Sequence, residues 1–280
     1  MRQSLPQTPE VETDIENAKA QSNTSSTSMH TYLRTNIHLN HADIPIIACC
    51  FVSGLCDSSV YASWQCFVSM QTGNTIFLAL GSSDQPVDHP WGWLKSLISI
   101  LFFVLGCLFF AQTRRWRPLS RGTLTGSFAL QALMVFVAAA LVQGGVVPPA
   151  NDAPASASSG NDGGRVVSHF LELVPLAFLA FQSGAQIVTS RLLGFNEVPT
   201  TVLTSVYCNL ISDTQLLAPL KKNVKRNRRF AAVITLLVGA IIGGWLVRSQ
   251  AGLAGVLWLA GAVKVGIAVG WSLWRGEENT

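Results

Sequence analysis

Charged side chains are scarce in this chain. Asp, Glu, Lys and Arg make up 12% of it, about half the roughly 25% of an ordinary globular domain. With 49% hydrophobic residues and a mean hydropathy of +0.37, that shortage excludes a soluble enzyme with a solvated surface. Motifs that carry chemistry are missing as well: HExxH, GxSxG, Walker and GxGxxG patterns do not occur, so no hydrolase or ATP-driven pump machinery is visible. The chain therefore reads as a non-enzyme without a cofactor. Cys49, Cys50, Cys56, Cys66, Cys107 and Cys208 form no CxxC pair, and none of His30, His38, His41, His89 and His169 lies deep in an apolar run. No metal centre is indicated, and the cysteines read as small buried hydrophobes. The net charge of +4 does not point to nucleic acid.

What the chain does have is long apolar runs. A bilayer core of about 30 Å needs roughly 20 residues of helix, and eight segments approach that length: 43–62, 64–81, 93–112, 123–145, 169–190, 198–218, 230–247 and 252–274. Six are clean spans. The second and sixth are interrupted by Gly73, by Pro199 and by clusters of Thr, Asn and Gln, where a lipid-facing helix would carry Leu or Ile. Residues 1–42 are polar and Ser/Thr-rich with no apolar core, and are expected to be a disordered tail rather than a signal peptide. The transmembrane domain is expected over 43–274, as a first half (43–145), a loop (146–168) and a second half (169–274), before a tail at 275–280.

The basic residues test this division. Arg114, Arg115, Arg117 and Arg121 follow the third segment, and Lys221, Lys222, Lys225, Arg226, Arg228 and Arg229 follow the sixth. The positive-inside rule puts both clusters in the cytoplasm. Eight full crossings would separate them. With the second and sixth segments re-entrant, both clusters and both termini share the cytoplasmic side, and the two halves run in opposite directions. The expected fold is thus an all-α polytopic membrane protein of about six transmembrane helices plus two short broken helices, with a two-fold inverted repeat. Asp57 precedes Thr72 by fifteen residues and Gln186 precedes Thr201 by the same interval, which agrees with that repeat. Discontinuous helices in inverted repeats are a transporter design with the site at the midplane. The alternative is that the interrupted segments are ordinary short spans.

Within the first interruption, Met70-Gln71-Thr72-Gly73-Asn74-Thr75 places polar residues at membrane depth, and Thr72 or Asn74 is expected to cap the helix that follows. Such a helix start directs N–H groups at a polar or anionic solute, or is only a kink. Thr200, Thr201 and Thr204 follow Pro199 in the second interruption. Asp57 is an ionisable residue inside a span and so a functional candidate. Lys264 lies mid-segment, with Asp57 or Asp213 as an acidic partner across the halves; a buried structural ion pair is the plainer reading. Asp213 and Glu172, at segment ends, read as interfacial. Gly239 and Gly243, and Gly266 and Gly270, present small faces for close packing within the chain or with a second copy in a homo-oligomer. Trp91, Trp93, Trp116, Trp245, Trp271 and Trp274 read as an interfacial belt.

Gly54-x-x-Asp57 with Met70-Gln71-Thr72-Gly73-Asn74-Thr75, then Phe181-x-x-Gly184-x-Gln186 and Pro199-Thr200-Thr201-Val202-Leu203-Thr204, resembles the YoaK-like family of membrane proteins catalogued as DUF1275. The likeness covers about 43–274 and implies a multi-pass membrane protein without naming a substrate. It marks Asp57, Thr72, Gly73, Asn74, Gln186, Thr200, Thr201 and Thr204 as motif residues. Ser205 stands where the family usually has Gly. Together these features predict a secondary transporter or permease for a small polar or anionic solute in the lipid bilayer, the rival being a non-transporting scaffold or accessory subunit.

Overall fold

Six helices in the computed structural model, which describes residues 31–85, 91–147 and 170–277, are long and apolar enough to cross a membrane. They are α1 (Asp43–Trp64), α3 (Gly92–Ala111), α4 (Arg121–Gln143), α5 (Leu173–Leu192), α7 (Val224–Arg248) and α8 (Gly252–Ser272). Between them lie α2 (Gln71–Leu80) and α6 (Thr204–Ile211). At 1.5 Å per residue these two are about 15 and 12 Å long, half a bilayer or less. Among the described residues there is no β-strand, only two isolated bridges.

Local sequence sets the breaks. Gln65 ends α1 in the left-handed conformation (φ 55°), its N–H returning to Tyr61 O at 2.9 Å. Thr200 takes φ 62° in the stretch between α5 and α6. Neither is glycine, so each break holds a backbone conformation that its own side chain resists. Two of the starts are capped by a side chain: Ser120 accepts from the N–H of Thr123 at α4, and Asn223 accepts from that of Arg226 at α7.

The chain leaves and returns to one end of the bundle through each break. At one end the bridges Asn36–Ser120 and Ile37–Gly276 and the Trp274–His38 hydrogen bond gather the start of α1, the start of α4 and the end of α8. The Arg228–Asp43 ion pair adds the start of α7. At the other end, Trp258 donates to Gln143 and Lys95 approaches Trp64 O, joining the start of α8, the end of α4, the start of α3 and the end of α1. Both basic clusters therefore lie at the same end. Residues 31–42 are not loose there, because Ile37 is 2% exposed and Asn36 O accepts from the N–H of Glu277; the rest of the expected tail, 1–30, lies outside the described residues, as do 148–169 and 278–280.

α1 and α5 are the inner helices, with 67% of each span buried, against 28% for α3 and 17% for α7. Leu237, Ile241 and Trp245 of α7 and Leu101, Leu108 and Phe109 of α3 face outward, as lipid-facing apolar side chains do. Glycine sets the two closest crossings. A β-carbon on Gly54 of α1 would lie 2.0 Å from Leu236 O and 2.8 Å from Ala240 N of α7. One on Gly184 of α5 would lie 2.5 Å from Phe103 O and 2.9 Å from Cys107 N of α3. In return, Gly239 meets Phe51 O and Gly106 meets Phe181 O. The same set of atoms is used twice, once by α1 with α7 and once by α5 with α3. Gly239 and Gly243 are thus consumed inside the chain, whereas Gly266 and Gly270 have open space around them. Trp271, expected in an interfacial belt, is fully buried; Trp116 and Trp245 stand outward.

Candidate functional site

The apolar interior is divided in two. One cluster, around Leu55, Val135, Leu176 and Leu257, fills the half of the bundle toward the α7–α8 turn; another, around Ile46, Phe128, Phe195 and Trp271, fills the half toward the basic end. Between them α1, α4, α5 and α8 bring polar side chains together. Lys264, 0% exposed and near the middle of α8, donates from Nζ to Gln131 Oε1 of α4 at 2.6 Å and to Gln186 Oε1 of α5 at 2.7 Å. Gln186 Nε2 donates in turn to Ser53 Oγ of α1, and Gln131 Nε2 to Ser127 Oγ at 3.2 Å. The ring of Phe128 stands 5.3 Å from the amine. Among the described residues no carboxylate makes an ion pair with Lys264. Two carbonyl dipoles and a ring face compensate an ammonium only in part, so a protonated Lys264, fully buried, lacks a full countercharge.

The acidic partners expected for Lys264 are engaged elsewhere. Asp57 turns away to the first break, where Oδ1 accepts from the N–H of Val68 at 2.8 Å and of Ser69 at 2.9 Å, and Oδ2 accepts from the Ser69 hydroxyl. Its carboxylate holds the turn that lets the chain double back. Asp213 lies after α6, paired with Arg229 at 3.3 Å and with the Asn223 amide. Hydrogen bonds from the Gln215 N–H and Asn223, with Arg229 nearby, hold its carboxyl below the usual range. Glu172, read as interfacial, is 7% exposed and paired with Lys95. Burial raises its carboxyl above the usual range, with Lys95 opposing.

Asn74 does not cap α2. The residue before the helix is Met70, with no side-chain cap, and Asn74 sits one turn in, with its side chain directed back across the break. Its Oδ1 accepts from the N–H of Phe67 at 3.0 Å, while Nδ2 donates to Phe67 O at 2.7 Å, Gln71 Oε1 at 2.8 Å and Ser99 Oγ at 3.0 Å. Thr72 points outward from α2 and Thr204 outward from α6, so neither hydroxyl reaches the centre. Gly73 is where α2 receives the Phe67 ring, 2.8 Å from an added β-carbon. Thr201 is buried with its N–H on Pro199 O at 2.8 Å; Thr200 is buried with its hydroxyl unpartnered.

Each break also leans on the inner helix of the other half. Ser183 of α5 donates to Val68 O in the first break at 2.8 Å, while Thr200 in the second break lies beside Cys50 of α1. Gln186 and Lys264, each a candidate from the sequence but not as partners, meet here, and Gln131 and Ser53 join them unforeseen. The repeated Phe51-x-Ser53-Gly54 and Phe181-x-Ser183-Gly184 was the available signal: their Phe carbonyls and glycines make the matching contacts, whereas Asp57 and Gln186, matched by the fifteen-residue intervals, play different parts. No group of three His, Cys, Asp or Glu among the described residues is arranged for a metal.

The model of one family, DUF1275, described as a protein of unknown function, matches residues 46–270, from early in α1 to the end of α8. No curated protein and no solved structure matches the chain.

Proposed function

The chain belongs to the DUF1275 family, and from that premise we propose that it is a secondary transporter or permease for a small solute, polar and most fittingly anionic, which binds at Lys264. The observation that carries the reading is the fully buried Lys264 amine, held by Gln131 and Gln186 without a carboxylate. Burying a cation in apolar surroundings is costly, and an anionic solute supplies the missing charge and a further acceptor. Gln186, Gln131 and Ser53 line the same point and orient the solute, while Asp57 and Asn74 hold the first break in shape. The matching glycine crossings support an inverted repeat, and with it alternating access about the centre. That both basic clusters lie at one end supports, through the positive-inside rule, a cytoplasmic side for that end and, in this reading, for both termini. The protein carries out no covalent chemistry in this reading.

The experiment pairs access with flux. Ser53→Cys and Gln131→Cys, in a background free of the six native cysteines, are labelled with membrane-impermeant thiol reagents from each side, and proteoliposomes are screened for uptake of small carboxylates and inorganic oxyanions. Labelling of the centre, with uptake lost in Lys264→Met and partly kept in Lys264→Arg, supports the permease. A centre that stays unlabelled from both sides while loop controls react overturns it. One observation favours the rival scaffold reading: the polar side chains of the first break are almost wholly consumed by its own backbone, as in a feature built for packing.

A further inference from the structure

Two cations close the opposite ends of the bundle in corresponding places. Lys95 lies in the first turn of α3, eleven residues before Gly106; Arg228 lies near the start of α7, eleven residues before Gly239. Each pairs with a carboxylate at the start of the inner helix that its own helix grips. Lys95 meets Glu172, the residue before α5, and Arg228 meets Asp43, the first residue of α1, at 2.9 Å. Each cation then reaches across to the other gripped pair. Lys95 Nζ donates to Trp64 O, at the end of α1, at 3.4 Å, and Arg228 Nη1 meets Glu197, just after α5, at 2.9 Å.

We propose that these are the two gates of the permease, a reading that rests on the proposed transport function. α1 with α7 and α3 with α5 are units locked by glycine, and Lys95 and Arg228 tie one unit to the other at opposite ends. Opening an end requires the cation to keep its in-unit carboxylate and release its cross-unit acceptor. The gates are unequal. At the basic end the cross-unit tie is a charged pair, and Arg228 also stands 4.7 Å over the Phe195 ring; at the other end it is one long hydrogen bond to a backbone carbonyl. The end holding Lys95 is therefore the looser gate and the one that opens first from the closed arrangement.

The test uses the full chain in the cysteine-free background with Ser53→Cys as reporter and impermeant maleimide added to one side at a time. Glu197→Gln removes the charged cross-unit tie and leaves Asp43 in place. It should speed labelling from the basic end by roughly two- to fivefold, the shift that loss of a partly exposed ion pair gives, without speeding it from the other side. A single monodisperse peak on size exclusion shows that each variant is folded; if Glu197→Gln fails that criterion, Glu197→Asp, which shortens the tie and keeps the charge, replaces it with the same sign expected. If Ser53→Cys labels in the parent and Glu197→Gln leaves both rates unchanged, the gates fall and the permease stands. If Ser53→Cys labels in no background, both fall.

Discussion

Replacing Asp57 separates a clamp from an ion-coupling group. The carboxylate is 5% exposed, and its acceptors serve the N–H groups of Val68 and Ser69 at 2.8 and 2.9 Å, both buried, besides the Ser69 hydroxyl. Asp57→Ala strands two buried backbone donors, at about 1–3 kcal/mol each, for a total of roughly 2–6 kcal/mol. Asp57→Asn keeps an acceptor oxygen for those donors and lets the Ser69 hydroxyl rotate to accept, so it loses only the charge-assisted part, about 1–2 kcal/mol. Thermal unfolding in detergent micelles, followed by fluorescence-detected size exclusion, should rank wild type above Asp57→Asn and that well above Asp57→Ala, with Ser69→Ala close to Asp57→Asn. The drop for Asp57→Ala should be on the order of 10 °C. An Asp57→Ala protein that unfolds with the wild type would refute the clamp, because no other group contacts both N–H donors.

Two further outcomes follow from the geometry. Gly239→Ala puts a β-carbon 2.2 Å from Phe51 O and should cost at least about 1–3 kcal/mol by forcing α7 off α1, whereas Gly266→Ala has open space and should be neutral or slightly stabilising; the same unfolding assay compares them. Asp213 should titrate below the usual value of about 3.9, read from its carboxyl carbon shift in a labelled sample. With the folded value depressed, the contribution of its contacts to the α6–α7 connection is present above the unfolded value and lost as pH falls through the folded one, so the Asn223 side-chain amide signal should move only in that acid range and stay fixed in Asp213→Asn.

The crossing pattern was legible because charge is read by position along a span. Two arginine- and lysine-rich loops had to share a side, which required a re-entrant sixth segment, and a re-entrant second segment then brought the N terminus to that side as well; α2 and α6 are those segments, too short to cross. The facing of side chains within them was not legible. A ten-residue helix after a broken turn gives too few turns for a periodic pattern, so nothing in Met70-Gln71-Thr72-Gly73-Asn74-Thr75 says that Asn74 turns inward and Thr72 outward. Lys95 and Glu172 were missed for another reason: at span ends an ionisable residue usually reaches water, and only the tertiary arrangement of α3 beside α5 buries this pair.

The centre shows what a search keyed to charge overlooks. Lys264 attracts notice as a lone cation in a span, and a carboxylate is the partner such a search seeks. Gln131 is uncharged, yet it is a polar residue at mid-length of α4, four residues after Ser127, and each polar group there must find a partner in the absence of water. Gln131 and Lys264 are also 133 residues apart, the interval that separates Gly106 from Gly239 and Lys95 from Arg228. A residue that contacts its own counterpart in the other half lies on the line about which the halves exchange. In the proposed inverted repeat, the Gln131–Lys264 contact would lie on the common axis with a different charge in each half, so that a solute of the proposed permease would meet the cation from one half and its carbonyl partner from the other.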